Sequence, residues 1–191
     1  DKLMKKAAKA GFKWLSIGVE SGTPKILELI EKRQTREGIE QLWKACWRRG
    51  IRMDANWITG YPKENHIDWL ISLAFLYENK HYIPVVAANQ FPAGVTPGTA
   101  LDQYKEVFSV SKYSTIFYDW CSENFKNTYV SRFLRLKLTH LYLEIWKIYY
   151  SGFWSVREDL KHFKVKIPTS IFNQEHYKAW PQRLQGTYWQ Q

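Results

Sequence analysis

From Lys13 to Val19 apolar and polar positions alternate, with Leu15, Ile17 and Val19 on one side and Ser16, Gly18 and then Glu20 on the other. A period of two predicts a short strand that ends in a carboxylate. In the next stretch, SGTPKILELIEK, Thr23 is placed as an N-cap and Pro24 as the first helical residue, where a missing N–H loses no partner. Thr35 opens a further helix in which Ile39, Leu42, Trp43 and Cys46 share one face, and Gly50 is placed to end it. That spacing assigns Cys46 to the core. Ile51 to Thr59 reads as a second strand running into Gly60-Tyr61-Pro62, where proline forbids further pairing. Asn65 and Asp68 form a capping pair, and Ile67, Leu70, Ile71, Ala74 and Tyr77 mark the apolar stripe of the helix they start. A third strand is expected over Ile83 to Asn89, followed by the loop QFPAGVTPGT and a short helix near Leu101 to Val107.

Strands alternating with helices imply parallel strands joined by right-handed crossovers, an α/β architecture. A doubly wound sheet would place a glycine-rich G-x-G-x-x-G turn after its first strand, and none is present, so a barrel-type sheet is the better reading. In such barrels the C-terminal strand ends carry the site, which brings Glu20, Asn56 to Gly60, and Asn89 or Gln90 to one mouth. Residues 1–108 form this β/α unit. Residues 109–191 change character and read as a mainly helical extension. Asn127 to Tyr150 is expected as one long helix with Val130, Leu134, Leu138, Leu141, Ile145 and Tyr149 as its apolar seam, ended by Ser151-Gly152. A short helix is expected over Ser155 to Phe163, with an irregular tail from Lys166.

Composition narrows the class without naming it. The 191 residues are 45% apolar and 24% charged, which excludes a disordered or collagen-like chain; the outlier is 17% aromatic content. Two cysteines, Cys46 and Cys121, exclude a disulfide framework and any self-sufficient iron–sulfur or cysteine-rich zinc site. The five histidines lack metal-ligand spacing. Neither Tyr82 to Leu101 nor Leu138 to Val156 suits a bilayer core, so a soluble, cytoplasmic protein without a membrane span is expected, and the start at Asp1 reads as a fragment of something longer. The net charge of +10 divides into +7 over residues 1–52, −4 over 53–124 and +7 over 125–191. Lys126, Arg132, Arg135 and Lys137 beside Tyr129 and Phe133 could form a nucleic-acid-binding stripe. The plainer reading is a solvated helix face, and nucleic acid is not the preferred partner.

Three segments in order, IGVESGTPKILELIEK at Ile17 to Lys32, NWITGYPKE at Asn56 to Glu64 and FPAGVTPGT at Phe91 to Thr99, resemble the radical S-adenosylmethionine (SAM) superfamily, especially its cobalamin-dependent branch. Each is weak alone; their order and their places at successive strand ends give the likeness its weight. The resemblance implies the C-terminal half of a partial (β/α)6 TIM-like barrel, strands four to six, followed by a helical C-terminal extension. It also implies a missing N-terminal half that holds the C-x-x-x-C-x-x-C loop for a 4Fe-4S cluster. The intact parent would then cleave SAM to a 5′-deoxyadenosyl radical, or pass a methyl group through cobalamin, on a small-molecule or lipid-like substrate. The fragment alone would be poorly stable and inactive.

By that resemblance the SAM contacts fall on Gly18, Glu20, Ser21, Asn56, Ile58, Gly60, Asn89 and Gln90. Glu20 would accept hydrogen bonds from the methionine ammonium or the ribose; its plainer role is a charge at the start of the following helix. Gly60 and Ile58 would lie against the adenine, with the glycine needed for close approach, or Gly60 is an ordinary turn glycine. Asn56 would line the cavity or satisfy a hydrogen bond inside the barrel. Lys63 stands where relatives commonly have glycine, and Thr23 where serine is frequent. A tRNA-modifying methylthiotransferase shares similar barrel motifs, but a small β-barrel domain usually follows them there. A basic, aromatic-rich nucleic-acid-binding module is the non-enzymatic alternative.

Overall fold

A computed structural model describes residues 2–83, 85–88, 92–113 and 120–150. In chain order its elements are α1 (Lys2–Lys9), β1 (Trp14–Glu20), α2 (Pro24–Leu29), α3 (Arg36–Arg48), β2 (Arg52–Trp57), α4 (His66–Glu78), β3 (Val85–Ala88), α5 (Ala100–Gln103), β4 (Val110–Tyr113), β5 (Trp120–Ser122), α6 (Tyr129–Ile145) and β6 (Tyr149–Tyr150). The main sheet has the order β1-β2-β3-β6 with every neighbour parallel, and β4 pairs antiparallel with β5 in a separate two-stranded sheet. Parallel pairing follows from the connections: each strand is followed by a helical return, so the next strand starts at the same end. The expected mixed α/β class is what the chain forms.

Register fixes which residues share a face. Ser16 lies opposite Asp54, Gly18 opposite Asn56, and Asn56 opposite Ala87. The intervening Leu15, Ile17, Val19, Met53, Ala55 and Trp57 point the other way, into the core with Trp43 of α3 and Phe75 of α4, whose rings stand 5.2 Å apart. Burying rings of this size contributes about 2–3 kcal/mol each. On the same side α1 rests on α3 through Met4, which accepts the Cys46 thiol at 3.4 Å, and α6 joins α4 where the Trp69 indole donates to Thr139 Oγ1 at 2.9 Å. The helices α1, α3, α4 and α6 thus form one layer. The opposite sheet face carries the exposed Trp14 and Ser16, with the half-buried Gly18 and Asn56.

Local start and stop chemistry matches the sequence closely. Thr35 Oγ1 accepts from the Gly38 N–H at the start of α3, and Gly50 ends that helix at φ +61°. Asn65 and Asp68 close a reciprocal capping box on α4, and Thr128 with Ser131 closes one on α6. Thr23 sits at the N-cap of α2 but spends its hydroxyl elsewhere, donating to Asp68 O at 2.5 Å and meeting Ser72 Oγ at 2.8 Å. The lysine-rich α1 has no counterpart among the expected elements, because Met4 is its one buried residue.

Two helix faces are reversed from expectation. Of the stripe expected on α4, Ile67, Leu70, Ala74 and Tyr77 are exposed and Ile71 is half-buried, and the buried face is Asp68, Trp69, Ser72, Leu73, Phe75 and Leu76. Of the seam expected on α6, Val130, Leu134, Leu138 and Ile145 are exposed, Leu141 is half-buried and Tyr149 lies in β6, while the buried face is Arg132, Arg135, Leu136, Thr139, His140 and Leu143. On the core side Ser72, Arg132, Arg135 and Thr139 find hydrogen-bond partners, so polarity does not mark the surface. The helix also stops at Ile145 rather than Tyr150: Lys147 turns the chain at φ +59°, and Tyr149–Tyr150 add to the sheet beside β3. The helix expected over Ser155 to Phe163 and the tail lie outside the described residues. Among the described residues no helix is long and apolar enough to cross a membrane.

Candidate functional site

At the C-terminal end of β1 the backbone departs from the ladder. The register slips between Gly18 and Glu20, leaving Val19 as an extra residue, and Glu20 adopts φ +69°. A left-handed backbone at a non-glycine residue costs about 1–2 kcal/mol and persists where the surroundings impose it. Here the Ile58 N–H donates to Glu20 O at 2.9 Å, holding the turn onto the end of β2. The Glu20 carboxylate folds back over Gly18 and pairs with the Lys32 ammonium. A Cβ at Gly18 would run into both groups. Gln34 completes the turn, its amide donating to Gly18 O at 3.0 Å. Across the strand pair, Asn56 accepts from the Ser16 hydroxyl at 3.3 Å on the same sheet face.

The fold therefore gathers Gly18, Glu20 and Asn56 at one open end of the sheet, with half-buried Ile58 one residue beyond β2. Ser21 and Gly60 turn away from this face. Ser21 is buried, its hydroxyl 3.0 Å from Ser72 Oγ and accepting from the Thr23 N–H at 3.2 Å, so it fastens the β1–α2 turn to α4. Gly60, at φ +81°, is closed in by Arg132: a Cβ there would stand 2.7–2.9 Å from that side chain's aliphatic carbons. Close approach is what demands the glycine, and α6 makes it. Asn89 and Gln90 lie outside the described residues. A cleft of about 770 Å³ beside α2, lined by Glu28, Glu31, Arg33, Arg36 and Glu37 among others, includes none of the expected site residues.

Behind the mouth lies a buried ionic cluster with no counterpart among the sequence expectations. Glu64 and Arg135, with side chains 2% and 3% exposed, pair at 3.1 Å. Glu64 also accepts from the Gly60 N–H at 2.8 Å, while Arg135 donates to Glu64 O at 3.1 Å and to Asn127 Oδ1. Burial pushes the Glu64 carboxyl up to about 7, against the opposing pull of Arg135 and the Gly60 N–H. Burial likewise lowers Arg135, with Glu64 opposing. The cluster ties the Gly60–Glu64 loop to α6. Next to it Arg132 is fully buried, its guanidinium 3.6 Å from the centre of the Trp120 ring and donating to Trp120 O at 2.7 Å. With Arg132 and Arg135 inside, the basic stripe suggested for nucleic acid does not exist as a surface; Lys126 is exposed and Lys137 lies over the Phe133 ring at 5.3 Å.

The donor set does not suit a cluster. Cys46 is in the core, its thiol pushed up to about 11 by burial, and Cys121 sits on β5. Among the described residues no group of three or more His, Cys, Asp or Glu side chains could hold a metal ion. The polar mouth holds a carboxylate partnered by an ammonium, beside an asparagine and a glycine, groups that can form charge-assisted hydrogen bonds. Among the described residues, fold and site together define a mixed α/β chain with a parallel sheet, one helical layer and one sheet face that no described helix covers. No family model matches it, and no curated protein matches it either.

Proposed function

We propose that the chain is the second half of a radical SAM barrel, and that Glu20, Gly18, Asn56 and Ile58 belong to its SAM-binding mouth. The observation that carries this reading is the left-handed Glu20, which aims a carboxylate at the open sheet face where a C-terminal strand end would meet a ligand. Among the described residues the helices pack on one face of the sheet, which favours a barrel segment, since a doubly wound sheet would cover both faces. In this reading Lys32 occupies the carboxylate until a ligand ammonium replaces it, and Asn56 offers an amide to the same ligand. Ser21 and Gly60 hold the mouth's backbone rather than touch the ligand. The thiolates for a 4Fe-4S cluster must come from outside this chain. The reaction class is SAM-dependent radical chemistry, with cobalamin-dependent methyl transfer or cyclisation as its finer forms.

The test uses the intact parent, reconstituted anaerobically with iron and sulfide. SAM is expected to bind and yield 5′-deoxyadenosine, and Glu20→Gln should weaken SAM binding by about tenfold while leaving the melting temperature unchanged. A parent that shows neither a cluster spectrum nor SAM cleavage refutes the class. A parent that cleaves SAM with full affinity after Glu20→Gln refutes the site.

A further inference from the structure

Residues 2–19 hold five lysines, Lys2, Lys5, Lys6, Lys9 and Lys13, and no acidic residue. All five are exposed, and among the described residues none of them enters an ion pair. The four lysines of α1 fall within an arc of about 100° on the side away from Met4, the residue that meets α3. Like charges three and four residues apart on a helix repel, so this ridge works against α1 and gains nothing from the fold. Apolar side chains border it. Gly11, at φ +91°, ends the helix: its N–H donates to Ala8 O at 3.1 Å, and the Phe12 N–H donates to Ala7 O at 3.0 Å. That closure folds Phe12, 53% exposed, back against the helix end; Leu3, one turn before Ala7 on the same flank, is 70% exposed. We propose that the outer face of α1, with Leu3 and Phe12 at its edge, docks on an anionic phospholipid surface.

Charge and side-chain chemistry select this partner. A plane of anionic headgroups relieves the repulsion along the ridge, and each lysine brought near it raises affinity about fivefold. The long lysine stems lie against the headgroup region while their ammonium groups reach the phosphates. Leucine and phenylalanine gain by entering the boundary between headgroups and acyl chains. A nucleic acid suits the same residues less well. Its phosphates are best gripped by the planar fork of arginine, which none of the five cations has, and a leucine cannot stack on a base. The position in the fold leaves the mouth uncovered, because α1 leads into the N-terminal end of β1, whereas Glu20 stands at its C-terminal end.

The test is co-sedimentation of the full 191-residue chain with phosphatidylcholine vesicles, alone or containing about 30 mol% phosphatidylserine, at about 100 mM salt. Wild type should bind the anionic vesicles at least about tenfold more tightly than the neutral ones. Lys5→Gln with Lys9→Gln changes two exposed positions and should weaken that binding about thirtyfold, with an unchanged circular dichroism spectrum. Lys63→Gln with Lys126→Gln removes the same charge from exposed sites around the loop beyond the C-terminal end of β2, and should weaken it by no more than about threefold. Leu3→Ser with Phe12→Ser keeps every charge and should weaken it about tenfold. Absence of binding to the anionic vesicles overturns the proposal. Equal losses in the two lysine pairs also overturn it, because net charge and not α1 then drives binding. So does oligouridylate RNA that binds wild type more tightly than the vesicles do and loses affinity on Lys5→Gln with Lys9→Gln, which assigns the ridge to nucleic acid.

Discussion

Replacing Arg135 by methionine tests the buried cluster through its pH dependence. Methionine keeps much of the aliphatic volume and removes the charge, so the variant reports on electrostatics rather than on a cavity. At pH 5 the Glu64 carboxyl, held up at about 7 in the fold, is protonated, and the variant loses mainly the bonds from Arg135 to Glu64 O and Asn127 Oδ1. That costs about 1–2 kcal/mol. A carboxyl whose folded pKa is raised contributes its full stability below the unfolded value, and loses it as pH rises through the folded pKa. In wild type this loss ends near pH 7, because Arg135 at 3.1 Å steadies the ionised form. Without Arg135 the folded pKa climbs higher and the loss continues at about 1.4 kcal/mol per pH unit. Between pH 7 and pH 8.5 the gap between variant and wild type should therefore widen by about 2 kcal/mol. Urea unfolding followed by tryptophan fluorescence at pH 5, 7 and 8.5 measures it, other titrating groups cancelling in the difference. A gap that stays constant with pH refutes the reasoning; adding Glu64→Gln to the variant should flatten it.

Two further outcomes rest on geometry alone. Gly60→Ala combines a φ of +81° with a Cβ 2.7 Å from Arg132 Cδ, and should lower the melting temperature by about 4–8 °C; calorimetry showing less than about 2 °C contradicts the close packing. Of the two thiols, half-exposed Cys121 should react with an aromatic disulfide reagent at pH 8, while Cys46, with its thiol pushed up to about 11 against Met4, should react only in urea. Two thiols titrating at one rate in the native chain would remove Cys46 from the core.

The strands and helix starts were legible because each rests on chemistry within a few residues. Leu15, Ile17 and Val19 need only a period of two, and the capping pairs Thr35–Gly38 and Asn65–Asp68 close within a single turn. The helix faces were not legible for a definite reason. The α4 sequence is apolar almost all round, so periodicity offers several stripes, and the choice among them falls to partners elsewhere in the chain. Ser72 is inside because Ser21, Gly22 and Thr23 meet it there, 49–51 residues away. Arg135 is inside because Glu64 waits 71 residues upstream.

The same limit explains what the sequence said about the site. Glu20 and Asn56 were placed at one mouth as strand ends, with Gly18 added by the resemblance, and the register sets Gly18 opposite Asn56. Parity could not show that the ladder slips at Val19, nor that Glu20 turns left-handed and lays its carboxylate over Gly18. An undistorted strand would carry Glu20 onward along the ladder without bending it back. For the proposed site the distortion matters more than the alternation that located the residue. In the proposed SAM site it would hold the carboxylate in place before a ligand arrives, so that binding need not order a flexible side chain. Gly60 makes the converse point. Its motif suggested close approach to a ligand, and close approach is real, but the group that approaches is Arg132 of α6. The loop behind the mouth is thus set by the helix that follows the β/α unit, through Arg132 at Gly60 and Arg135 at Glu64. Damage to α6 should for that reason reach the mouth without touching any residue that lines it.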